Sequence, residues 1–292
     1  GGAGRWVKAG NGTMLGGGRE AIHSNQGIAK SMVEAAAGVL PVFPADARQV
    51  VPTTDRGAIP ELLSLTRFVD LCIPRGGESL IRAVTECSHV PVIKHYKGVC
   101  HVYIGANANA AMAEEIAFNS KVHRPGVCNA AETLLVDTSV ATDVLPRLAK
   151  RLAKANVELR GDKPTQALLD GSGVEITPAT DADWEEEYLD LVLSVKIVDG
   201  VGEAIEHINT HGSGHTETIV TGDSTAARRF QTEVDSSTIF WNASTRFSDG
   251  MEFGMGAEIG ISTDKIGARG PMGLEELTTY KWLGVADGLI RK

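Results

Sequence analysis

The sequence predicts an α/β protein built around a parallel, doubly wound sheet. Short apolar runs of strand length alternate along the chain with longer segments in which apolar residues recur every three or four positions. That alternation is typical of strand–helix–strand units, whose strands lie parallel. Turns rich in glycine and proline separate the two kinds of segment. With 292 residues, 42% of them hydrophobic, the chain is long enough for about two domains with buried cores.

The first 98 residues contain strand and helix patterns in alternation. Gly38 is placed to end the first helix, and Asp55 is placed to cap the second. The strand candidates are 14–15, 49–51, 69–73 and 90–93, and the helix candidates are 19–37, 55–65 and 78–86.

A second unit begins near Val99 and continues the same alternation. Its strand candidates are 102–104, 134–136, 192–198, 219–221 and 238–241, and its helix candidates are 109–120, 143–155, 201–209 and 226–234. Residues 242–273 are rich in glycine, and we expect them to be irregular. A short helix over 274–282 is expected to close the chain.

Composition excludes several classes of function. The net charge of −9 and the absence of a Lys/Arg-rich run argue against a nucleic-acid or anionic-membrane partner. The apolar runs are much shorter than a membrane span. None of the four cysteines forms a C-x-x-C pair, which argues against structural zinc. Nothing resembles a secretory leader, so we expect reduced thiols and a cytoplasmic protein.

Cys128 is the strongest candidate for a reactive residue. It follows a Pro-Gly turn and precedes a run that is compatible with a short helix. A thiol at the start of a helix is exposed to unpaired N–H groups, which favour the nucleophilic thiolate. The alternative is that Cys128 is a small buried apolar residue, since free cysteines are among the most buried residue types.

Two turns have the form of phosphate-binding turns. Arg75-Gly76-Gly77 follows a strand candidate and opens a helix, and Gly16-Gly17-Gly18 has the same context. Helix N-termini attract phosphate, and Arg75 adds a charged donor. Either turn is equally compatible with an ordinary strand-to-helix connection, because neither matches a full dinucleotide or P-loop fingerprint.

Other polar groups are ambiguous. Arg246 is placed to hold a carboxylate or phosphate, or simply a neighbouring aspartate. His207, His211 and His215 have the spacing of a helical metal site, but Gly212 and Gly214 interrupt that helix, so we predict no metal site. Glu185 to Glu187 form an acidic run that is most simply solvated.

Several long motifs together resemble one family, the gamma-glutamyl phosphate reductases (glutamate-5-semialdehyde dehydrogenases) of the aldehyde dehydrogenase superfamily. The resemblance runs from about Val7 onward and includes IPRGG at 73–77, VPVIKH at 90–95, RPGVCNAAETLLV at 124–136, HGSGHTETIVT at 211–221, NASTRFSDG at 242–250 and ARGPMGLEELTTYKW at 268–282.

The resemblance implies an aldehyde dehydrogenase-like fold, with a partial Rossmann-like cofactor domain and an α/β catalytic domain. Residues 1–98 would be the C-terminal part of the NADP-binding domain, and 99–255 the catalytic domain with the cysteine. Residues 256–292 would return to the cofactor domain or to an oligomer interface.

The activity implied by the resemblance is the NADPH-dependent reduction of L-glutamyl 5-phosphate to L-glutamate 5-semialdehyde and phosphate, a step of proline biosynthesis. Cys128 would attack the acyl phosphate and form a thioester, which hydride then reduces. The backbone N–H of Cys128 would donate to the oxyanion.

The resemblance also suggests roles for further residues. Lys8, Arg75 to Gly77 and Glu187 would bind NADP(H), with Glu187 at the nicotinamide ribose. His95 stands where hydrolytic relatives of the superfamily carry a glutamate base, and the absence of that base would protect the thioester from water. Substrate contacts would come from His95, Arg124, Asn129 and Arg246.

The family carries a long segment ahead of the position of Lys8. We therefore expect this chain to be N-terminally incomplete and to have little or no activity alone. At full length, a homo-oligomer and a partnership with glutamate 5-kinase are expected. Three alternatives stay open: a coenzyme A-dependent acyl-transferring aldehyde dehydrogenase, the reductase half of a bifunctional pyrroline-5-carboxylate synthase, and a non-catalytic structural remnant.

Overall fold

The computed structural model describes residues 6–40 and 42–291. Its N-terminal part begins with a parallel strand pair, β1 (Thr13–Leu15) and β2 (Arg48–Val50), connected through helix α1 (Ile22–Val39). This confirms the strands and the crossover helix predicted there. Two further helices follow, α2 (Ala58–Leu63) and α3 (Glu78–Cys87).

The strands predicted at 69–73 and 90–93 are wrong in extent. They meet through one parallel bridge, between Cys72 and Val92. Pro74 and Pro91 lack the N–H that a longer ladder needs, so the pairing stays short.

The centre of the molecule is a seven-stranded sheet in which every neighbouring pair is parallel. The strand order is β6-β5-β7-β4-β3-β8-β9. The strands are β3 (Cys100–Ile104), β4 (Ala131–Asp137), β5 (Glu158–Gly161), β6 (Ile176–Pro178), β7 (Val192–Val198), β8 (Thr216–Val220) and β9 (Thr238–Trp241).

Helices cover both faces of this sheet, as a doubly wound protein requires. They are α4 (Ala110–Val122), α5 (Thr138–Lys154), α6 (Lys163–Leu169), α7 (Gly200–His211) and α8 (Ser224–Glu233). Successive strand residues point to opposite faces. Leu134 therefore packs in the core beneath α4 and α5, while Leu135 packs in the core beneath α7 and α8.

Three elements of the sheet region were not predicted: β5, α6 and β6. Each is short, and only Leu159 and Gly161 of β5 are buried. A strand with so few buried residues leaves little periodic signal in the sequence.

The glycine-rich region was predicted to be irregular, but it contains an antiparallel pair, β10 (Gly260–Ser262) and β11 (Gly270–Met272). This hairpin packs against the N-terminal part: Arg75 Nη1 donates to the carbonyl of Ile259 at 2.8 Å, and Lys94 pairs with Asp264 at 2.9 Å.

The helix predicted over 274–282 is also wrong. Only one 3₁₀ turn forms, at Glu275–Leu277, and the chain beyond it is exposed, with Trp282 at 91%. Helices take most of their stability from packing an apolar face, and residues 279–291 have no such contact in the described part of the chain. None of the described helices combines the length and the apolar character that a bilayer span requires.

Candidate active site

Cys128 lies in a tight turn between α4 and β4, at the amino-terminal edge of the central sheet. The turn is closed by a hydrogen bond from the N–H of Ala130 to the carbonyl of Val127 at 3.0 Å. The helix expected after Cys128 is absent, because residues 131–137 form the buried strand β4, paired with β3 and β7. Helix N–H groups therefore do not act on this thiol.

A cleft of about 510 Å³ opens at Cys128. It brings together residues from six separate segments of the chain. Among its walls are six residues predicted from the sequence, namely Arg75, Gly76, Gly77, His95, Cys128 and Glu187. Lys94, Lys97, Glu186 and Glu258 add charged groups.

Gly98 lets the main chain of Cys128 approach closely. A Cβ at position 98 would lie 2.6 Å from the Cα of Cys128 and closer still to its carbonyl oxygen. The N–H of Gly98 donates to Glu187 Oε1 at 2.8 Å. Gly98 therefore holds the turn of Cys128 and the carboxylate of Glu187 in one arrangement.

The thiol of Cys128 is protonated in the absence of bound groups. Burial and the negative charges of Glu258 and Glu187 together raise its pKa to about 11, against opposing effects of its own backbone N–H and of Arg75. The expectation of a spontaneously favoured thiolate is thus wrong. The helix that was expected to lower the pKa of Cys128 is absent, and two carboxylates that raise this pKa lie nearby.

Two histidines face the same thiol. One nitrogen of His95, one nitrogen of His215 and Sγ of Cys128 all lie within 4.8 Å of one another. The His95 and His215 rings meet edge to face at 5.5 Å. Burial and the neighbouring His95 lower the pKa of His215 to about 3, so its imidazole is neutral. The site thus combines a half-buried thiol with two imidazoles.

His215 was missed as a site residue. In the sequence it was considered only with His207 and His211, as part of a helical spacing. The predicted break of that helix is confirmed, since α7 ends at His211 and His215 directly precedes β8. Its position at the start of a central strand, beside the starts of β3 and β4, is what brings it to Cys128.

A buried ion pair supports the cysteine turn from beneath. Lys121 Nζ donates to Glu132 Oε2 at 2.5 Å, and both side chains are fully buried. Burial raises the pKa of the Glu132 carboxyl and lowers that of Lys121, while their mutual attraction opposes both shifts. Glu132 Oε1 also accepts from the N–H of Leu189, on the cleft wall. The pair therefore ties together α4, β4 and the segment of Glu187.

Arg124 and Arg246 lie beside the cysteine turn but do not line the cleft. Arg124 is exposed and Arg246 is half-buried, with its Nε 3.4 Å from Nδ1 of His123. Burial and the positive charge of Arg124 lower the pKa of Arg246. Two neighbouring guanidinium groups form a patch that attracts an anion.

Asn129 and Lys8 are placed differently from the expectation. Asn129 is buried, and its Nδ2 donates to the carbonyl of Ser248 at 2.9 Å, so this amide supports the turn. Lys8 is exposed at the end of a helical turn and is not among the residues that line the cleft.

The turn of Arg75 to Gly77 suits a phosphate-bearing cofactor. Gly77 precedes the ten-residue helix α3, no side chain of the described residues caps its first turn, and Gly76, Gly77 and Glu78 line the cleft. Gly76 has φ +154°, and a Cβ there would meet Leu80 at 2.7 Å, so both the backbone conformation and the available space favour glycine.

Comparison with known proteins places these features in a family. The chain is 52% identical over 286 residues to a gamma-glutamyl phosphate reductase of Opitutus terrae, an alignment covering 98% of the chain and 67% of that relative. The crystal structure of a gamma-glutamyl phosphate reductase from Thermotoga maritima superposes with a TM-score of 0.94 at 41% identity, covering 98% of the chain and 68% of that protein. No protein-family model matches the chain.

A more distant structure shows the fold alone. An engineered glycolyl-CoA reductase with bound NADP⁺ superposes with a TM-score of 0.69 at 16% identity, covering 94% of the chain and 68% of that protein. The predicted aldehyde dehydrogenase-like fold is confirmed by these neighbours. The boundaries predicted at residues 98 and 255 remain predictions.

Proposed function

The chain belongs to the gamma-glutamyl phosphate reductase family, and we propose that it supplies the catalytic cysteine for the reduction of L-glutamyl 5-phosphate to L-glutamate 5-semialdehyde and phosphate. The chain spans about two thirds of the length of the curated relative it matches, 67%. The activity is therefore proposed for the protein to which these residues belong.

The observation that supports this function is the position of Cys128. It lies in a cleft that also contains the Arg75 to Gly77 turn and Glu187, the residues for which the family resemblance implies cofactor contacts. A thiol nucleophile beside a cofactor-binding turn is the arrangement that acyl reduction through a thioester requires.

In the proposed mechanism, Sγ of Cys128 attacks the acyl carbon of glutamyl 5-phosphate, the carbon–phosphate oxygen bond breaks, and phosphate leaves. The thiol must first lose its proton, because its pKa is about 11. Nδ1 of His95 lies 2.8 Å from the carbonyl of Ile261 and so carries the ring proton, leaving Nε2 free. We assign the thiol proton to Nε2 of His95 as the sulfur attacks.

The backbone N–H of Cys128 donates to the oxyanion that forms on the acyl carbon. In the free protein this N–H is directed at its own thiol, where it lowers the thiol pKa. It is therefore already oriented toward the reacting atoms.

The reaction uses a nicotinamide cofactor, which we assign as NADPH. When bound, the reduced nicotinamide supplies the hydride that converts the thioester to the aldehyde. Arg75 and the N–H groups that follow Gly76 and Gly77 would hold the phosphates. Glu187, kept in place by Gly98, would hold the ribose next to the nicotinamide. Lys8 would contact the cofactor at its far end.

Arg124 and Arg246 would bind an anionic group of the substrate. Both carry positive charge next to the cysteine turn, and the substrate carries a carboxylate and a phosphate. Asn129 would act indirectly, because the hydrogen bond from its amide to the carbonyl of Ser248 holds the turn that carries Cys128.

We also propose the setting in which the protein acts. No disulfide forms within the described residues, which include all four cysteines, and free thiols fit a reducing cytoplasm. At full length we expect a homo-oligomer, supplied by a kinase that makes the acyl phosphate.

The test is an assay in the oxidative direction, in which NADP⁺ is reduced by glutamate 5-semialdehyde. It is run on this chain alone and on this chain fused to the part of its Opitutus terrae relative that the alignment does not cover. We expect turnover in the fusion only, and only when phosphate is added. Coenzyme A should not replace phosphate, and equal rates with coenzyme A would favour the acyl-transferring alternative.

Variants of the fusion identify the nucleophile. Cys128→Ala should abolish turnover, whereas Cys87→Ala, which removes a half-buried thiol of α3 outside the cleft, should retain it. Turnover by Cys128→Ala at the unmodified rate would contradict the assignment.

A further inference from the structure

His95, Cys128 and His215 have the donor atoms of a zinc site. Their three ligand atoms lie within 4.8 Å of one another. Two imidazole nitrogens and one thiolate are a ligand set that suits Zn²⁺, whose tetrahedral coordination leaves a fourth position for water or substrate. The donors come from three separate segments, so the group is a product of the fold.

Nδ1 of each histidine has a hydrogen-bond partner, which leaves Nε2 of each ring available to a metal. Metal-bound histidines nearly always donate their second ring N–H to a carbonyl or another fixed acceptor, which orients the ring. Nδ1 of His95 does so to the carbonyl of Ile261 at 2.8 Å. Nδ1 of His215 lies 2.8 Å from Oγ1 of Thr216.

The tautomer of His215 follows from the next hydrogen bond. Oγ1 of Thr216 donates to Oγ of Ser248 at 2.9 Å, so this hydroxyl accepts from Nδ1 of His215. Nε2 of His215 is left as the nitrogen with a free lone pair. It is buried and has no hydrogen-bond partner among the described residues, in a side chain that is 0% exposed.

A buried nitrogen lone pair without a partner is unfavourable in a protein interior. A cation at the thiol would complete the hydrogen-bonding and charge requirements of all three groups.

We propose that His95, Cys128 and His215 form a reversible zinc site that blocks the thiol of Cys128. Zn²⁺ takes the place of the thiol proton, which passes to solvent, and water from the cleft fills the fourth position. Tetrahedral zinc needs donor separations of roughly 3.3 to 3.6 Å. Rotation of the half-buried side chains of Cys128 and His95 brings the donors together.

The site rests on geometry and does not depend on the proposed reductase reaction. A zinc-blocked thiol would not attack an acyl phosphate, so binding predicts inhibition if the proposed function holds. The experiment below reads metal binding directly, and a failure of the proposed function leaves its result unchanged.

The first measurement is protection of the unmodified chain from iodoacetamide, with each cysteine followed by peptide mass spectrometry. One equivalent of Zn²⁺ should slow alkylation of Cys128 by about tenfold or more. Alkylation of Cys87 should not change, and a chelator should restore the original rate at Cys128. Equal alkylation of Cys128 with and without Zn²⁺ would overturn the proposal.

Two histidine variants and a spectrum test the ligand set. His215→Gln should lose the protection, while His211→Gln, a change at the end of α7 outside the cluster, should keep it. Titration of the unmodified chain with Co²⁺ should produce a near-ultraviolet sulfur-to-metal band and the intense visible bands of four-coordinate cobalt. Full protection in His215→Gln, or a cobalt spectrum without the sulfur band, would contradict the site.

Discussion

Gly98 determines how closely the main chain of Cys128 approaches the wall of its cleft. A side chain at this position would meet main-chain atoms of Cys128, which cannot swing aside as the end of a side chain can. We predict that Gly98→Ala destabilises the fold by about 1–3 kcal/mol, as overpacking of a filled space does, and displaces Cys128.

The effect of Gly98→Ala is measured by urea unfolding and by the rate at which Cys128 is alkylated. Gly126→Ala is the matched control, because a Cβ there would meet only the carbonyl of Leu189, at 3.5 Å. Equal stability of the two variants would show that the close approach at Gly98 is not required.

The protonation state of Cys128 also depends on individual residues around it. With a pKa of about 11, the thiolate fraction rises tenfold for each pH unit between pH 7 and pH 10. The alkylation rate of Cys128 should rise in parallel. Glu258→Gln removes a negative charge that raises this pKa, so alkylation at pH 8 should become faster.

A rate that levels off below pH 8 in the unmodified chain would contradict the raised pKa. It would restore the interpretation made from the sequence, in which the local backbone favours thiolate. The sequence cannot reveal this effect, because Glu187 and Glu258, which are 59 and 130 positions from Cys128 in the chain, come close to the thiol only after folding. The cysteine was found from its turn, whereas its electrostatic surroundings were not.

At the scale of elements, the cysteine turn depends on the buried pair of Lys121 in α4 and Glu132 in β4. Removing one partner leaves the other charge buried and unpaired. We predict that Lys121→Met destabilises the protein by about 3–5 kcal/mol, measured by urea unfolding. The double variant Lys121→Met with Glu132→Leu should recover most of that loss, because no charge is left uncompensated.

The control for this prediction is Arg229→Met. It removes an exposed pair with Glu233 in α8 and should change stability little. A single Lys121→Met variant as stable as Arg229→Met would show that the buried pair does not hold the turn.

The sequence predicted the elements that bury many residues and missed those that bury few. The strands at 134–136 and 192–198 and the helices around them were found, because long apolar runs and helical periodicity mark them. The short strands β5 and β6 carry little periodic signal. The helix predicted over 274–282 has the composition of a helix, but no described surface covers its apolar residues.

The candidate site was predicted in the same uneven way. Six of its residues were named from turns and family motifs and lie together in the cleft. Lys8 and Arg124 were named and lie outside it. His215 was missed because its role arises from strand order: β3, β4 and β8 are neighbours in the sheet, and their starts converge at Cys128. Spacing along the chain does not reveal that order.

At the scale of the whole molecule, the described C-terminal segment exposes several large apolar side chains. Trp282 is 91% exposed, and Tyr280, Leu283 and Leu289 are also largely exposed. Exposed apolar side chains grouped in one segment favour association in water. We predict that this chain self-associates in size-exclusion chromatography and that a chain ending at Thr279 does so less. Equal elution positions would show that the segment is not the cause.

For the whole reaction, we propose that Cys128 carries the glutamyl group between aldehyde and phosphate. The most direct test incubates the fusion protein with glutamate 5-semialdehyde and NADP⁺ without phosphate, then locates any adduct by peptide mass spectrometry. We predict one glutamyl group on the peptide that contains Cys128, together with one NADPH per site, and loss of the adduct when phosphate is added. An active protein without that adduct, or with the adduct on another cysteine, would contradict the claim.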